Sequence, residues 1–322
     1  DDTDPNIVFY GTEGCNHCIA AKNRVSREMF DQKEGEARLS RLVERMREDG
    51  KGKAYDCVVG VSGGVDSSYV ALRARELGLR VLAVHLDNGW NSELAVKNIE
   101  HIVVKLGLDL VTHVIDWREV KDLQRAFFSV PLMDIEVIPD HAIFAVLYRQ
   151  AAKHGIRYIL SGSNVATESI MPTAWNYDQR DLKHILAVHK TNKHVALRTY
   201  PKLSPLRFLY YVFAKRIKFI PILNFGPYVK ADVIERLKRD LSWSPYPNKH
   251  GESMFTRFFQ DYYLPTKFAI DKRKAHYSSM IASGQLTREE ALMRLNEPLY
   301  RPDILAQDKA YVLKKLDYSE KD

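Results

Sequence analysis

Ser62-Gly63-Gly64-Val65-Asp66-Ser67-Ser68 directly follows an apolar run, residues 57–61, and leads into a segment of helical character, residues 67–77. Glycines at 63 and 64 let the backbone turn tightly and approach a ligand with no Cβ in the way. Ser62, Ser67 and Ser68 add hydroxyl donors, and a helix start adds free N–H groups and the positive end of its dipole. A strand, a small-residue turn and a helix in that order make a seat for phosphate. The Gly-Lys-Ser/Thr ending of the Walker loop is absent, and so is the GxGxxG dinucleotide fingerprint. A Gly-Ser turn that binds nothing is the plain alternative, and the flanking strand and helix weigh against it.

Outward from the loop, apolar strands at 57–61, 80–86, 110–115 and 158–161 alternate with amphipathic segments at 67–77, 92–106 and 141–154. That rhythm predicts α/β architecture, a parallel sheet with helices on both faces. The expectation is a five-stranded sheet between Asp56 and Glu168. Polar residues gather where parallel sheets present ligands, at the carboxyl ends of strands. One group is His85-Leu-Asp-Asn-Gly-Trp90, containing Asp87, and another is Ser161-Gly-Ser-Asn-Val-Ala-Thr-Glu168. Beyond Asn164 the strand rhythm fades into helical stretches at 230–241, 252–263 and 287–296, the last opened by a Thr287/Glu290 capping box. The expected organisation is an N-terminal appendage over 1–50, a nucleotide-binding domain over 51–200 and a helical region over 201–322.

The heptapeptide resembles the SGGxDS loop of the PP-loop ATP pyrophosphatases, which have the adenine nucleotide alpha hydrolase-like fold. The resemblance implies that Ser62, Gly63, Gly64, Asp66, Ser67 and Ser68 grip the pyrophosphate end of ATP. Residues 161–168 are similar to the Gly-Thr-x-Asn-x-x-Glu loop of NAD synthetase, which brings Gly162 and Asn164 into the ATP site. Glu168 then joins Asp66 as a Mg²⁺ ligand, hard oxygens sharing the ion with phosphate. Asp87 is an adenosine-side or metal-side candidate.

The C-terminal half narrows the resemblance. Lys249-His-Gly-Glu-Ser-Met-Phe-Thr-Arg-Phe-Phe-Gln260, Asp271-Lys-Arg-Lys-Ala-His-Tyr-Ser-Ser279 and Ser283-Gly-Gln-Leu-Thr-Arg-Glu-Glu-Ala-Leu292 resemble the N-acetyl sugar amidotransferases of surface-polysaccharide (lipopolysaccharide O-antigen and nonulosonic acid) biosynthesis. So do Asp4-Pro-Asn-Ile7 and Gly14-Cys-Asn-His-Cys18. This implies an AMP-forming ligase that turns the acetamido group of a UDP-linked N-acetylated sugar into an acetamidine. Ammonia would come from a separate glutaminase of the HisH type, since no Cys nucleophile with partner His and Glu stands out here. Catalytic candidates are Asp66, Lys249, His250 and Glu252, with Lys267, Arg273 and Lys274 as phosphate-neutralising cations. Two other readings are held beside this one. The first is a tRNA-modifying PP-loop enzyme of the thiolation or lysidine type, and the second is a non-catalytic nucleotide-binding subunit.

Cys15 and Cys18 have the spacing of half a zinc site or of a redox pair. A structural Zn²⁺ needs two more ligands, for which His17, Cys57 or residues upstream of Asp1 are candidates, although Cys57 reads as a core thiol inside the first strand. In the resembled family this pair belongs to a zinc knuckle. The 322 residues carry 48 Lys and Arg against 41 Asp and Glu, a net charge of +7 that favours an anionic partner. A nucleic acid, a nucleotide-linked substrate and an anionic membrane surface all fit that charge, and it is the resemblance that implies a nucleotide-sugar and no nucleic acid. Three cysteines and no leader-like or long apolar stretch predict a cytoplasmic protein with no transmembrane segment. Arg207, Lys215, Arg216 and Lys218 flank the aromatic run 208–214, which suits a peripheral membrane or protein contact as well as a partly buried helix.

Overall fold

The computed structural model describes residues 3–11, 14–246 and 251–321. Five parallel strands form one sheet: β1 Cys57–Gly60, β2 Val81–Asp87, β3 Asp109–Val114, β4 Tyr158–Ser161 and β5 Lys218–Pro221. Their spatial order is β3-β2-β1-β4-β5, so the chain leaves β1 in one direction, returns, and continues on the other side. The reversal beside β1 creates the crevice in which such sheets hold ligands, at the carboxyl ends of β1 and β4.

Side chains alternate through the sheet, and each face builds its own core. Val58, Leu82, Val84 and Ile159 point to one side, where helix Val137–Lys153 supplies Ala142, Ala145 and Val146. Cys57, Val59, Val61, Val81 and Ala83 point to the other, against helices Val65–Glu76 and Glu93–Leu106. Each aliphatic side chain buried this way contributes about 1.5–3 kcal/mol, which is why the inner strands read as nearly unbroken apolar runs. Cys57 is fully buried, and burial pushes its thiol far above the usual range.

The expected sheet between Asp56 and Glu168 is one strand short. β5 comes from residues 218–221, inside the segment read as purely helical, and pairs Tyr158↔Lys218 through Ser161↔Pro221. Four residues on a sheet edge, exposed at Lys218 and Phe219, show no clear alternation in sequence.

The first fifty residues form helices Asn16–Glu28 and Gln32–Asp49. Ala21 is fully buried in the core, and Arg24 donates to the carbonyl of Ser169, just after the β4 loop. The appendage therefore braces the site. At the other end, helix Lys272–Ala282 packs on the short helix Val165–Glu168, and helix Pro302–Leu316 packs on helix Trp117–Phe128. The Thr287/Glu290 capping box is present. No helix among the described residues is long and apolar enough to cross a membrane.

Candidate active site

The 62–68 loop sits where β1 ends. Gly63 has φ +81°, and a Cβ there would lie 2.8 Å from the Ala95 carbonyl oxygen, so glycine is required on both counts. The Gly63 carbonyl accepts from Trp243 Nε1 at 2.8 Å and from the Tyr246 hydroxyl at 3.0 Å, which fixes the turn from outside. Gly64 caps helix Val65–Glu76 without a side-chain bond, leaving the first-turn N–H groups to a ligand. Ser62 and Ser67 bond each other, Oγ to Oγ at 3.1 Å, and both line a cavity of about 540 Å³. Ser68 differs. Its hydroxyl is fully buried and donates to the Gly64 carbonyl, so it braces the loop from behind.

Gly162 lets the β4 loop press against this helix start, since a Cβ there would lie 3.0 Å from Asp66 Cβ. Asn164 is buried, its Oδ1 accepting from the backbone N–H and hydroxyl of Thr167 while its Nδ2 donates to the Gly162 carbonyl. It shapes the turn that presents Glu168. Asp66 and Glu168 line the same cavity, and both charges act on the buried Tyr228, whose hydroxyl donates to Asp66 Oδ1 and is pushed far up in pKa by burial and these acids. Mg²⁺ commonly takes one or two carboxylates and completes its shell from phosphate and water. Asp66 and Glu168 fit that donor set.

On the other side of the loop, a cavity of about 580 Å³ shares Ser62, Glu168, Glu252 and His276 with the first. Glu252 divides them. Ser253 pairs with Asn91 in an isolated bridge, and Ser92 N–H donates to the Glu252 carbonyl at 2.9 Å. This strap holds the Glu252 carboxylate over the loop, with Oε1 3.4 Å from where a Cβ on Gly64 would stand. Lys249 and His250 lie outside the described residues.

Asp87 spends its Oδ1 on Gly89 N–H at 2.8 Å and on Asn91 Nδ2 at 3.4 Å, closing its own turn. Its neighbours His85, Asn88 and Asn91 face the larger cavity instead. His85 Nδ1 meets the Val61 carbonyl at 2.8 Å and Nε2 meets Asn91 Nδ2 at 3.0 Å, so the ring's orientation is fixed from both sides.

Two expected cations are used elsewhere. Arg273 forks onto Asp271 and reaches the carbonyls of Leu295 and Glu297 at a helix end, and Lys267 donates to Tyr263. Lys274, like them, does not line either cavity. Their neighbour Lys272 does. It is buried, with Nζ 3.4 Å from Glu136 Oε2, and Gln260 donates to the same oxygen at 2.5 Å. Asp140 opens into this cavity with protein around it. Desolvation by that protein, reinforced by Glu136 and Asp134, pushes its pKa up to about 8 although the residue is open to the cavity. Buried Asp134 is raised to about 6, chiefly by burial. Sequence reading missed Glu136, Asp140, Lys272 and Tyr228. Two acids one helical turn apart in the otherwise apolar 135–148 stretch were the available signal.

Cys15 and Cys18 approach to 3.5 Å between sulfurs, but His17 turns away to Asp4 and Cys57 is locked in β1. Among the described residues no third His, Cys, Asp or Glu joins them, so a complete zinc site is not present there.

Sheet, loop and paired carboxylates have the arrangement that the resemblance to the PP-loop proteins leads one to expect. Residues 38–192 match the NAD synthase family, and residues 252–322 match the family described as LPS biosynthesis protein WbpG-like, C-terminal domain. Residues 38–192 are thus similar to an NAD-synthase module and residues 252–322 to a lipopolysaccharide-related domain. No curated protein matches the sequence. Among solved structures, NMN synthetase from Francisella tularensis is similar at 14% identity, with 87% of this chain and 95% of that one covered and a TM-score of 0.42. NH3-dependent NAD synthetase from Campylobacter jejuni, in complex with the nitrate ion, is similar at 16% identity, covering 88% and 94% with a TM-score of 0.38. Likeness at this level says nothing of activity.

Proposed function

We propose that this chain is an AMP-forming amidotransferase that converts the acetamido group of a nucleotide-linked N-acetylated sugar into an acetamidine, with ammonia delivered by a separate glutaminase. The observation that carries the reading is the position of Glu252. This first residue of the lipopolysaccharide-related segment lies over Gly64, so that segment and the phosphate loop enclose one shared pair of cavities.

An amide carbonyl is a poor electrophile for ammonia. Attack of its oxygen on the α-phosphorus of ATP forms an O–P bond and releases pyrophosphate, giving an O-adenylyl imidate. Ammonia adds to the imidate carbon, loses a proton, and AMP leaves with the former amide oxygen. The smaller cavity, with Ser62, Gly64, Ser67 and the helix start, holds the phosphates. Asp66 and Glu168 would hold Mg²⁺, which supplies charge neutralisation on the phosphates. The larger cavity, with Asn88, Asn91, Asn176, Gln179 and Gln260, offers the amide donors and acceptors that sugar hydroxyls need. Glu252, between the two, is placed to take the proton that ammonia gives up.

A tRNA-thiolating reading would want a reactive thiol beside the loop. Cys57 is the cysteine nearest to it in sequence, and its thiol is buried with a raised pKa.

The test is AMP release from ATP with ammonium chloride, across UDP-linked N-acetylated uronic acids and free nonulosonic acids. AMP formed with one sugar, whose mass shows oxygen replaced by NH, supports the reading. AMP released by bulk tRNA and by no sugar overturns it.

A further inference from the structure

Helix Pro205–Leu209 runs directly into the π-helical turn Tyr210–Ala214, and together they lie on helix Val137–Lys153. Phe208 packs on Phe144 at 5.7 Å and on Tyr148 at 5.4 Å, and Tyr211 stacks on Tyr148 at 6.1 Å. That face is a normal core contact. The opposite face should be polar, and it is not. Leu206, Leu209, Tyr210 and Phe213, at helical spacing, are 80%, 47%, 50% and 74% exposed. A short helix apolar on both faces needs cover on both. Here one face faces solvent.

The charges beside this stripe indicate what covers it. Between Asp181 and Asp232 the chain carries ten Lys and Arg and not one Asp or Glu, so this stretch alone exceeds the net charge of +7. Arg207, Lys215, Arg216 and Lys218, which bracket the stripe, are all exposed, and Lys215 leans over the Tyr210 ring at 5.7 Å. Cations on flexible stems around exposed Leu, Tyr and Phe are the composition of an interfacial helix, the rings entering the headgroup boundary while the cations meet lipid phosphates. A second copy of the same face would bring like charges together, which disfavours self-association.

We infer that the 205–218 segment is a peripheral membrane-docking element, seating the exposed stripe of Leu206, Leu209, Tyr210 and Phe213 in an anionic lipid surface. No residue of this element lines either cavity. The inference does not depend on the reaction proposed above.

Co-sedimentation of the whole chain with vesicles tests it, using phosphatidylcholine alone and phosphatidylcholine mixed with phosphatidylglycerol. Binding is expected only to the mixed vesicles, weakening as salt rises. Leu206→Ser/Phe213→Ser should abolish it, and Arg207→Glu/Lys215→Glu should weaken it by ~5-fold or more per cation removed. All four positions are exposed, and circular dichroism melting checks that the variants fold. Absence of binding to the mixed vesicles, or binding unchanged in both variants, overturns the inference. A dimer in sedimentation equilibrium that Leu206→Ser/Phe213→Ser converts to monomer assigns the face to a second copy instead. Bulk tRNA binding that responds to the charge variant and not to the apolar one assigns the basic stretch to nucleic acid.

Discussion

The Tyr228 hydroxyl donates to Oδ1 of Asp66, joining the segment after β5 to the first turn of the phosphate-loop helix. Tyr228 is buried and its own carbonyl accepts from Gln285 at 2.8 Å, so the donor is fixed in place. The Asp66 carboxylate is thereby tethered at the cavity that Glu168 also lines.

Tyr228→Phe keeps the ring and removes the donor. A stability loss of about 1 kcal/mol is expected, read by urea denaturation, with the rate of AMP formation falling more than the KM for ATP rises. Asp66→Asn should cost ~10²-fold or more in that rate, because it removes one of the two carboxylates proposed to hold Mg²⁺.

Lys272 and Glu136 form a buried pair, so removing one partner strands a charge. Lys272→Met should destabilise the fold by about 3–5 kcal/mol, and the double variant Lys272→Met/Glu136→Gln should recover most of that loss. Urea titration of the four proteins closes the cycle. Simple additivity of the two single changes would show that the pair does not couple.

Raised carboxyl pKa values set a pH dependence. Folding keeps the proton on Asp134 up to about 6 and on Asp140 up to about 8, whereas the unfolded chain releases both near ~3.9. The unfolded state therefore binds fewer protons through this window, and stability falls as pH rises from ~4 through 8. Asp134→Asn/Asp140→Asn should flatten that fall in a series of melting temperatures taken across the window. Equal slopes for variant and parent would contradict the assignment.

Cys15 and Cys18 have no third ligand among the described residues. Cys15→Ser/Cys18→Ser should leave the melting temperature within a degree or two, on the order of a surface substitution, and metal analysis of the purified chain should find well under one zinc per chain. Stoichiometric zinc that is lost in the double variant would reverse this.

Much of the fold was readable from local pattern. β1 to β4 were found because buried parallel strands are apolar throughout, and helix Lys230–Leu241 and the Thr287/Glu290 cap followed from periodicity and capping chemistry. β5 was missed because four residues on an edge gain their strand character from pairing with β4, fifty-seven residues or more away in the chain. The site divides the same way. Ser62, Gly64, Asp66, Ser67, Glu168 and Glu252 line the cavities, whereas Ser68, Asp87 and Asn164 turned inward to support their own turns. Residue type showed which groups were able to bond, but not which backbone partner lay nearer than a ligand.

By itself the sequence determined the phosphate loop, since a strand, two glycines and a helix start are contiguous and their conformational preferences act over a few residues. Only the tertiary structure decided that Glu252 lies over Gly64, that Tyr228 meets Asp66 and that Lys272 rather than Arg273 reaches the cavity. Those relations join residues distant in the chain, and they exist because burying both faces of the sheet fixes where each later helix can pack.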